Sequence, residues 1–264
     1  KEMTRFSANL GFLWTDRSLP EAILSAKTAG FDAVECHWPY DVPSDDVRKA
    51  LHHTGLRMLG INARRGNVEA GDMGLAALTG RQGEAEAATV EALNYAAEIS
   101  AEMVHVMAGR AEGPDAHRVY VQNLRYAARV ASKRGQTILI EPLNEHDAPG
   151  YFLRTADQAR RIIDEVAEDN IKMMFDCYHV GRTEGDVFTR LRAVLPYVGH
   201  IQFASVPDRG TPDHGTLDYR LLFEQIEEIG WTRPLGAEYK AVGDTSASLG
   251  WMKSHGGLEN PISN

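Results

Sequence analysis

Two cysteines, Cys36 and Cys177, are all that the 264 residues contain, so neither a disulfide framework nor a cysteine-rich zinc site is available. Long apolar runs are missing too: no window approaches the roughly 18 uninterrupted apolar residues of a membrane-spanning helix. The first residues, Lys1 to Arg5, lead into a short strand-like run, with no apolar stretch of signal-peptide length. Basic residues are in the minority, 28 Lys and Arg against 37 Asp and Glu, for a net charge of −9. That balance disfavours a nucleic-acid backbone or an anionic membrane surface as partner, since both are gripped by clustered cations. The expectation is a soluble, cytoplasmic protein that acts on a small molecule. A chain of this length buries a large core without covalent staples.

What is present is an alternation. Short apolar runs at 6–10, 33–36, 57–61, 103–106, 137–141, 172–176, 198–202 and 235–238 read as strands covered on both faces, as in a parallel sheet. Between them lie amphipathic stretches with start and stop signals. Ser18-Leu19-Pro20-Glu21 supplies an N-cap, an early proline and an acidic first turn, and that helix stops at Gly30. Helices over 44–54, 115–134 and 218–229 likewise end at Gly55, Gly135 and Gly230, and Thr155 to Gln158 has the form of a capping box. Eight strands with intervening helices make a single (β/α)8 TIM barrel over 1–264 the simplest architecture; an open doubly wound sheet satisfies the same periodicity. Residues 62–81, rich in Gly, Arg, Asn and Asp, predict a long functional loop. The segment 256–264 predicts an unstructured tail.

The later strands share an ending. Four consecutive runs close on an oxygen-bearing side chain: Glu141, Asp176, Gln202 and Glu238. A barrel gathers its strand ends at one face, where barrel enzymes build their sites. Three carboxylates and an amide oxygen form a hard donor set suited to a divalent metal ion such as Mg2+ or Mn2+. One acid at a strand end is usually a helix cap or an ion-pair partner; four in succession point to a site.

These motifs resemble the hydroxypyruvate isomerase family of xylose isomerase-like barrels. The resemblance runs from Arg5-Phe6-Ser7-Ala8-Asn9-Leu10 to Leu249-Gly250-Trp251, through Gly30-Phe31-Asp32-Ala33-Val34-Glu35, Thr79-Gly80-Arg81 with Glu84, Val104-His105-Val106-Met107-Ala108-Gly109, Val206-Pro207-Asp208-Arg209 and Gly236-Ala237-Glu238-Tyr239-Lys240. It implies that Glu141, Asp176, Gln202 and Glu238 are metal ligands and that Glu141 and Glu238 are the paired acid and base. Gln202 stands where ketose 3-epimerases carry histidine, which favours hydroxypyruvate-to-tartronate-semialdehyde isomerisation, or its 2-oxotetronate analogue, over epimerisation or polyol dehydration. Nucleases of the same superfamily need further histidine ligands and a basic face.

His179 resembles a substrate-oxygen contact of relatives, and a loop histidine is its alternative. His105 is either a pocket residue or a satisfied interior histidine. Lys240, Arg209 and Arg65 are candidates for holding the carboxylate of a small anionic 2-oxo acid; Arg64-Arg65 replaces small or proline residues of the family. Asp147 and Glu35 read first as a turn former and a structural hydrogen-bonding group, Cys177 as a packed thiol. Trp38-Pro39-Tyr40 and Leu249 to Met252 are apolar enough for a pocket lid or a homo-oligomer interface.

Overall fold

The structure, a computed structural model, describes residues 4–255; the expected tail at 256–264 lies outside them. Chain order is β1 (Phe6–Asn9), α1 (Leu19–Ala29), β2 (Ala33–Glu35), α2 (Ser44–Thr54), β3 (Arg57–Met58), β4 (Gly60–Asn62), α3 (Gln82–Ile99), β5 (Met103–His105), α4 (Gly113–Ser132), β6 (Thr137–Ile140), α5 (Ala156–Val166), β7 (Ile171–Asp176), α6 (Cys177–Thr183), α7 (Val187–Val194), β8 (Val198–Phe203), α8 (Tyr219–Glu228), β9 (Leu235–Ala237) and α9 (Gly250–His255). All strand pairings are parallel, in the order β3-β2-β1-β9-β8-β7-β6-β5-β4. That is the expected barrel, with helices outside, and not the open sheet. Among the described residues no helix is long and apolar enough to cross a membrane.

The run expected as one strand over 57–61 is split at Leu59. Its first half pairs with β2 and its second with β5. Leu59 bridges the two, donating to Val34 O at 2.8 Å and accepting from Met103 N at 3.0 Å, and so brings the sheet round to near closure. Strands in a barrel are staggered, so a short strand meets its two neighbours at different heights.

Local chemistry explains the helix ends. Ser18 Oγ accepts from Glu21 N while the Glu21 carboxylate accepts from Ser18 N, and Gly30 closes α1 at φ 95°. Thr155 caps α5 as expected, but Gln158 reaches past it to accept from Arg154 N, so the box is not reciprocal. Helix α4 starts and ends two residues earlier than the sequence suggests: Pro114 enters its first turn, where a missing N–H costs nothing.

The 62–81 segment is ordered by its own polar residues. Arg81 donates twice to Asp72, at 2.8 and 2.7 Å, and Asp72 accepts from Asn67 N. Leu75, Ala76 and Ala77 are buried, and their N–H groups bond Met107 and Ala108 carbonyls beyond β5. Gly109, at φ 94°, lets the two backbones touch; a Cβ there would fall 2.5 Å from Gly74 O. Gly109→Ala is therefore expected to cost about 2–3 kcal/mol in urea unfolding, against an ordinary surface change of about 0.5 kcal/mol or less if this contact were dispensable.

Trp251 packs among Phe6, Phe31, Phe203 and Tyr239 and is 1% exposed. It belongs to the core, not to a lid or interface. Inside the barrel, Ala33, Leu59, Met103, Leu139 and Met174 form a separate apolar plug. Everything chemical stands on that floor.

Candidate active site

Side chains of a strand alternate between the two faces of the sheet, so residues two apart both point into the barrel. Two positions beyond Met103, Leu139 and Met174 of the plug come His105, Glu141 and Asp176. Two beyond His200 and Gly236 come Gln202 and Glu238; two beyond Ser7 and Ala33 come Asn9 and Glu35. The result is a ring of buried polar groups above the floor, contributed by seven strands or their ends. All of them except Asp176 line one cavity, and Phe12, His37, Trp38, Arg65, Asp147, His179 and Arg209 join them around its wall. The strand-ending pattern exposes four of these, and the sequence also offers His105 and Glu35; Asn9, and His200 one layer below, are the additions.

Three oxygens in this ring are buried without any protein donor in reach: Glu141 Oε2, Asp176 Oδ2 and Gln202 Oε1. Uncompensated acceptors at this depth cost free energy on the order of 1–3 kcal/mol each. Carboxylate and amide oxygens left bare together suit a hard divalent cation. Glu141 and Asp176 each set an oxygen within 4.8 Å of the other and of a His179 nitrogen. Asp176 is at once a helix cap and a site residue: Oδ1 accepts from Tyr178 N at 2.8 Å, leaving Oδ2 beside His179 Nε2 at 3.7 Å.

Glu238 differs from its three companions. Oε1 accepts from Arg209 Nη2 at 2.8 Å, and Oε2 accepts from Asn9 Nδ2 at 2.6 Å and Gln202 Nε2 at 2.7 Å. Arg209, 11% exposed, is held between the rings of Phe12 and Tyr178 and also faces Asp147. The sequence suggests Arg209 as a substrate anchor; its guanidinium lines the cavity and also orients Glu238. Asp147 is more than a turn former, since it accepts from Tyr178 Oη and Asn144 Nδ2 as well.

Burial, followed by the charges of Glu238 and Asp176, holds Glu141 well above the usual carboxylate range. Burial, then Glu238, pushes Asp176 up to about 7. Both shifts express the cost of burying carboxylates beside one another. His179 stays neutral: burial and the nearby Arg209 charge pull it well below the usual imidazole range. Its Nδ1 accepts from Asn144 N at 3.1 Å, so Nε2 carries the hydrogen, 3.7 Å from both Glu141 Oε1 and Asp176 Oδ2. An imidazole in that tautomer donates to an oxygen and cannot ligate through Nε2. His179 lies on α6, lines the cavity and is bonded through Nδ1 to Asn144, which leaves its Nε2–H facing the site.

The sequence leaves His105 as either a pocket residue or a satisfied interior histidine. It is buried, burial drives it down to about 3, and neither ring nitrogen has a partner. Lys240 does not reach the cavity: its side chain is exposed, and only its N–H takes part, donating to Arg209 O. The adjacent arginines separate. Arg64 turns outward to Glu91 at 2.7 Å, whereas Arg65 lines the cavity, its guanidinium 3.6 Å from the centroid of the Trp38 ring. No acidic group among the described residues pairs with Arg65. Burial pushes both thiols up, Cys36 to about 12, as packed cysteines require.

Residues 23–255 match the family described as Xylose isomerase-like TIM barrel. The 2-oxo-tetronate isomerase of Cupriavidus necator is 40% identical over 257 residues, 96% of this chain and 99% of that protein. The hydroxypyruvate isomerase of Escherichia coli is 34% identical, covering 95% and 98%. A solved structure from Brucella melitensis, described as an AP endonuclease of family 2, superposes with a TM-score of 0.92 at 34% identity, covering 96% and 99%.

Proposed function

Since this chain belongs to the xylose isomerase-like TIM barrel family and is an isomerase, we propose that it interconverts hydroxypyruvate and tartronate semialdehyde, with Glu141 and Glu238 moving the proton. The observation that carries the proposal is the set of three donorless oxygens, Glu141 Oε2, Asp176 Oδ2 and Gln202 Oε1, contributed by the neighbouring strands β6, β7 and β8 or their ends. Glu141, Asp176 and Gln202 would hold a divalent ion, with remaining lone pairs of Glu238 as the fourth donor. Bound there, Mg2+ or Mn2+ supplies Lewis-acid polarisation of the substrate carbonyl.

The protein's own groups then divide the work. Both oxygens of Glu238 already act as acceptors, fixed by Asn9, Gln202 and Arg209; this carboxylate takes the proton from the hydroxymethyl carbon of the substrate. Glu141, which lines the same cavity, delivers one to the neighbouring carbon. The hydroxyl proton passes between the two substrate oxygens, with the Nε2–H of His179 donating to one of them. One C–H bond breaks and one forms, and nothing is oxidised overall.

Arg65 supports an anionic substrate. It is the cation of the cavity wall without a carboxylate partner, and the Trp38 ring holds its guanidinium flat for a bidentate contact. Arg65→Met is expected to raise KM for hydroxypyruvate about 10–100-fold, the worth of a charge-assisted hydrogen bond, with kcat nearly kept. Turnover of the neutral ketol dihydroxyacetone should be unmoved; equal loss on both would remove the carboxylate role.

The direct test follows hydroxypyruvate in D2O by proton NMR, using metal-stripped protein with and without Mg2+ or Mn2+. Metal-dependent tartronate semialdehyde carrying solvent deuterium is the expected product. A four-carbon 2-oxotetronate is the second reading, favoured by the 40% identical relative. Turnover of that acid with hydroxypyruvate untouched would replace the substrate and leave the site chemistry.

A further inference from the structure

The structure assigns Glu35, at the opposite side of the barrel from Glu141, as the positioning residue that turns the carbonyl oxygen of Gln202 towards the cation site. This rests on the metal-site reading above and adds to it a reason why an amide serves as a ligand there. An amide side chain presents either oxygen or NH2 to a given neighbour, and its shape does not decide which. The neighbours of Gln202 decide it. One of its terminal atoms lies 2.5 Å from Glu35 Oε1 and 2.7 Å from Glu238 Oε2. Two carboxylate oxygens repel an amide oxygen and accept from an amide nitrogen, so that atom is Nε2. Oε1 must then face the other way, into the cavity, where no protein donor meets it.

Glu35 is itself held by three side chains, one of which, Asn9, also donates to Glu238. Oε2 accepts from Ser7 Oγ at 2.8 Å and lies 2.7 Å from His200 Nε2; Oε1 accepts from Asn9 Nδ2 at 3.1 Å. The carboxylate is buried, and the attached donors, His200 above all, keep it below the usual carboxylate range against the cost of burial. Room for the pair comes from β9. A Cβ on Gly236 would fall 2.8 Å from both Glu35 Oε2 and His200 Nε2 and 2.9 Å from Gln202 Cγ. Register places these groups in one row, with Ser7 and Gln202 both level with Gly236, and Asn9 level with Glu35. The same donors would be needless for packing, since an apolar side chain at position 35 would fill the space without burying a charge.

Glutamine at position 35 keeps the shape but tolerates either face of the Gln202 amide, so the orienting preference is weakened. Outer-shell changes of this kind commonly cost 10–100-fold in metal affinity. The test is a double-mutant cycle on Mn2+ affinity of the full chain, read as free Mn2+ by electron paramagnetic resonance. Glu35→Gln is expected to weaken Mn2+ about tenfold or more in the parent and less than about twofold in a Gln202→Ala background, because the oxygen it orients is then gone. A purely structural role predicts the same loss in both backgrounds, and that result would overturn the assignment, as would full affinity in Glu35→Gln. If Glu35→Gln does not fold, Glu35→Asp withdraws the carboxylate from Gln202 while keeping its charge and enters the same cycle. Mn2+ binding weakened by Gln202→Ala but not by either Glu35 variant refutes only the positioning role; absence of Mn2+ binding by the parent refutes the metal site with it.

Discussion

Glu238→Gln and Glu141→Gln are expected each to lower kcat/KM by about 100–10,000-fold, the usual worth of a positioned acid or base, while moving stability in opposite directions. At Glu238 the amide puts an NH2 where Arg209, or Asn9 and Gln202, now donate. One donor must face another, or the side chain must withdraw and leave a buried guanidinium unmatched. A charge-assisted hydrogen bond is worth about 1.5–3 kcal/mol, and its loss should appear as a lowered Tm. At Glu141 the reverse holds. No donor reaches Oε2, and burial already favours the neutral form, so an amide of equal size removes a charge the apoprotein is poorly built to hold. Metal-stripped Glu141→Gln should melt no lower than its parent. Solvent exchange separates the roles further: Glu238→Gln should lose deuterium wash-in at the substrate hydroxymethyl carbon together with isomerisation. Wash-in at the parent rate would assign proton removal to another group.

The second large effect is a pH-dependent gain in stability from Asp176→Asn in the metal-stripped protein. Asp176 ionises near 7 in the folded chain against 3.8 as its ordinary value. A carboxyl raised in this way contributes its full stability below the unfolded value, loses it as pH climbs through that window, and leaves a constant deficit above the folded value. For Asp176 the deficit is on the order of 4 kcal/mol. His105 and His179, both lowered by burial, slope the other way, because the unfolded imidazoles take up protons below about 6.5. Subtracting the parent from Asp176→Asn cancels the histidines and leaves the aspartate with its effect on Glu141, which has the same sign: the two should agree near pH 4 and part progressively up to about pH 7, with the variant the more stable. Asparagine keeps an Oδ1 for Tyr178 N, so the helix cap survives. Added Mn2+ should narrow the gap, and close it at about a thousand times the parent's Kd, since binding to the native state alone contributes about 4.1 kcal/mol there and the variant lacks one ligand charge. A pH-independent difference between the two proteins would exclude Asp176 as the strained carboxyl.

How far the site could be read in advance depended on how its residues announce themselves. Glu141, Asp176, Gln202 and Glu238 end four consecutive apolar runs, and the ring they form on the barrel's C-terminal face follows from strand direction. Asn9 belongs to the same ring and His200 to the layer beneath it, yet they sit inside or at the close of strands that read as continuous apolar runs. The signal was there in the period of two: Ser7 with Asn9, and His200 with Gln202, are polar at alternate positions, which marks an inward face with chemistry on it. Arg209 and Lys240 looked equivalent as cations beside a site. Only the rings of Phe12 and Tyr178 and the carboxylate of Glu238 draw one of them in.

The order of strands and helices was determined by the sequence alone, because caps, glycine stops and apolar runs act within a few residues of themselves. The identity of the four strand-ending oxygens was determined there too. Tertiary structure decided what each one faces. It made Glu238 an acceptor held by three side chains and left Glu141 bare, made His179 a donor through the Asn144 N–H, and aimed the Gln202 oxygen through Glu35, 167 positions away in the chain. Those are properties of neighbours brought together from different strands, and electrostatics at a few ångströms has no counterpart in local sequence.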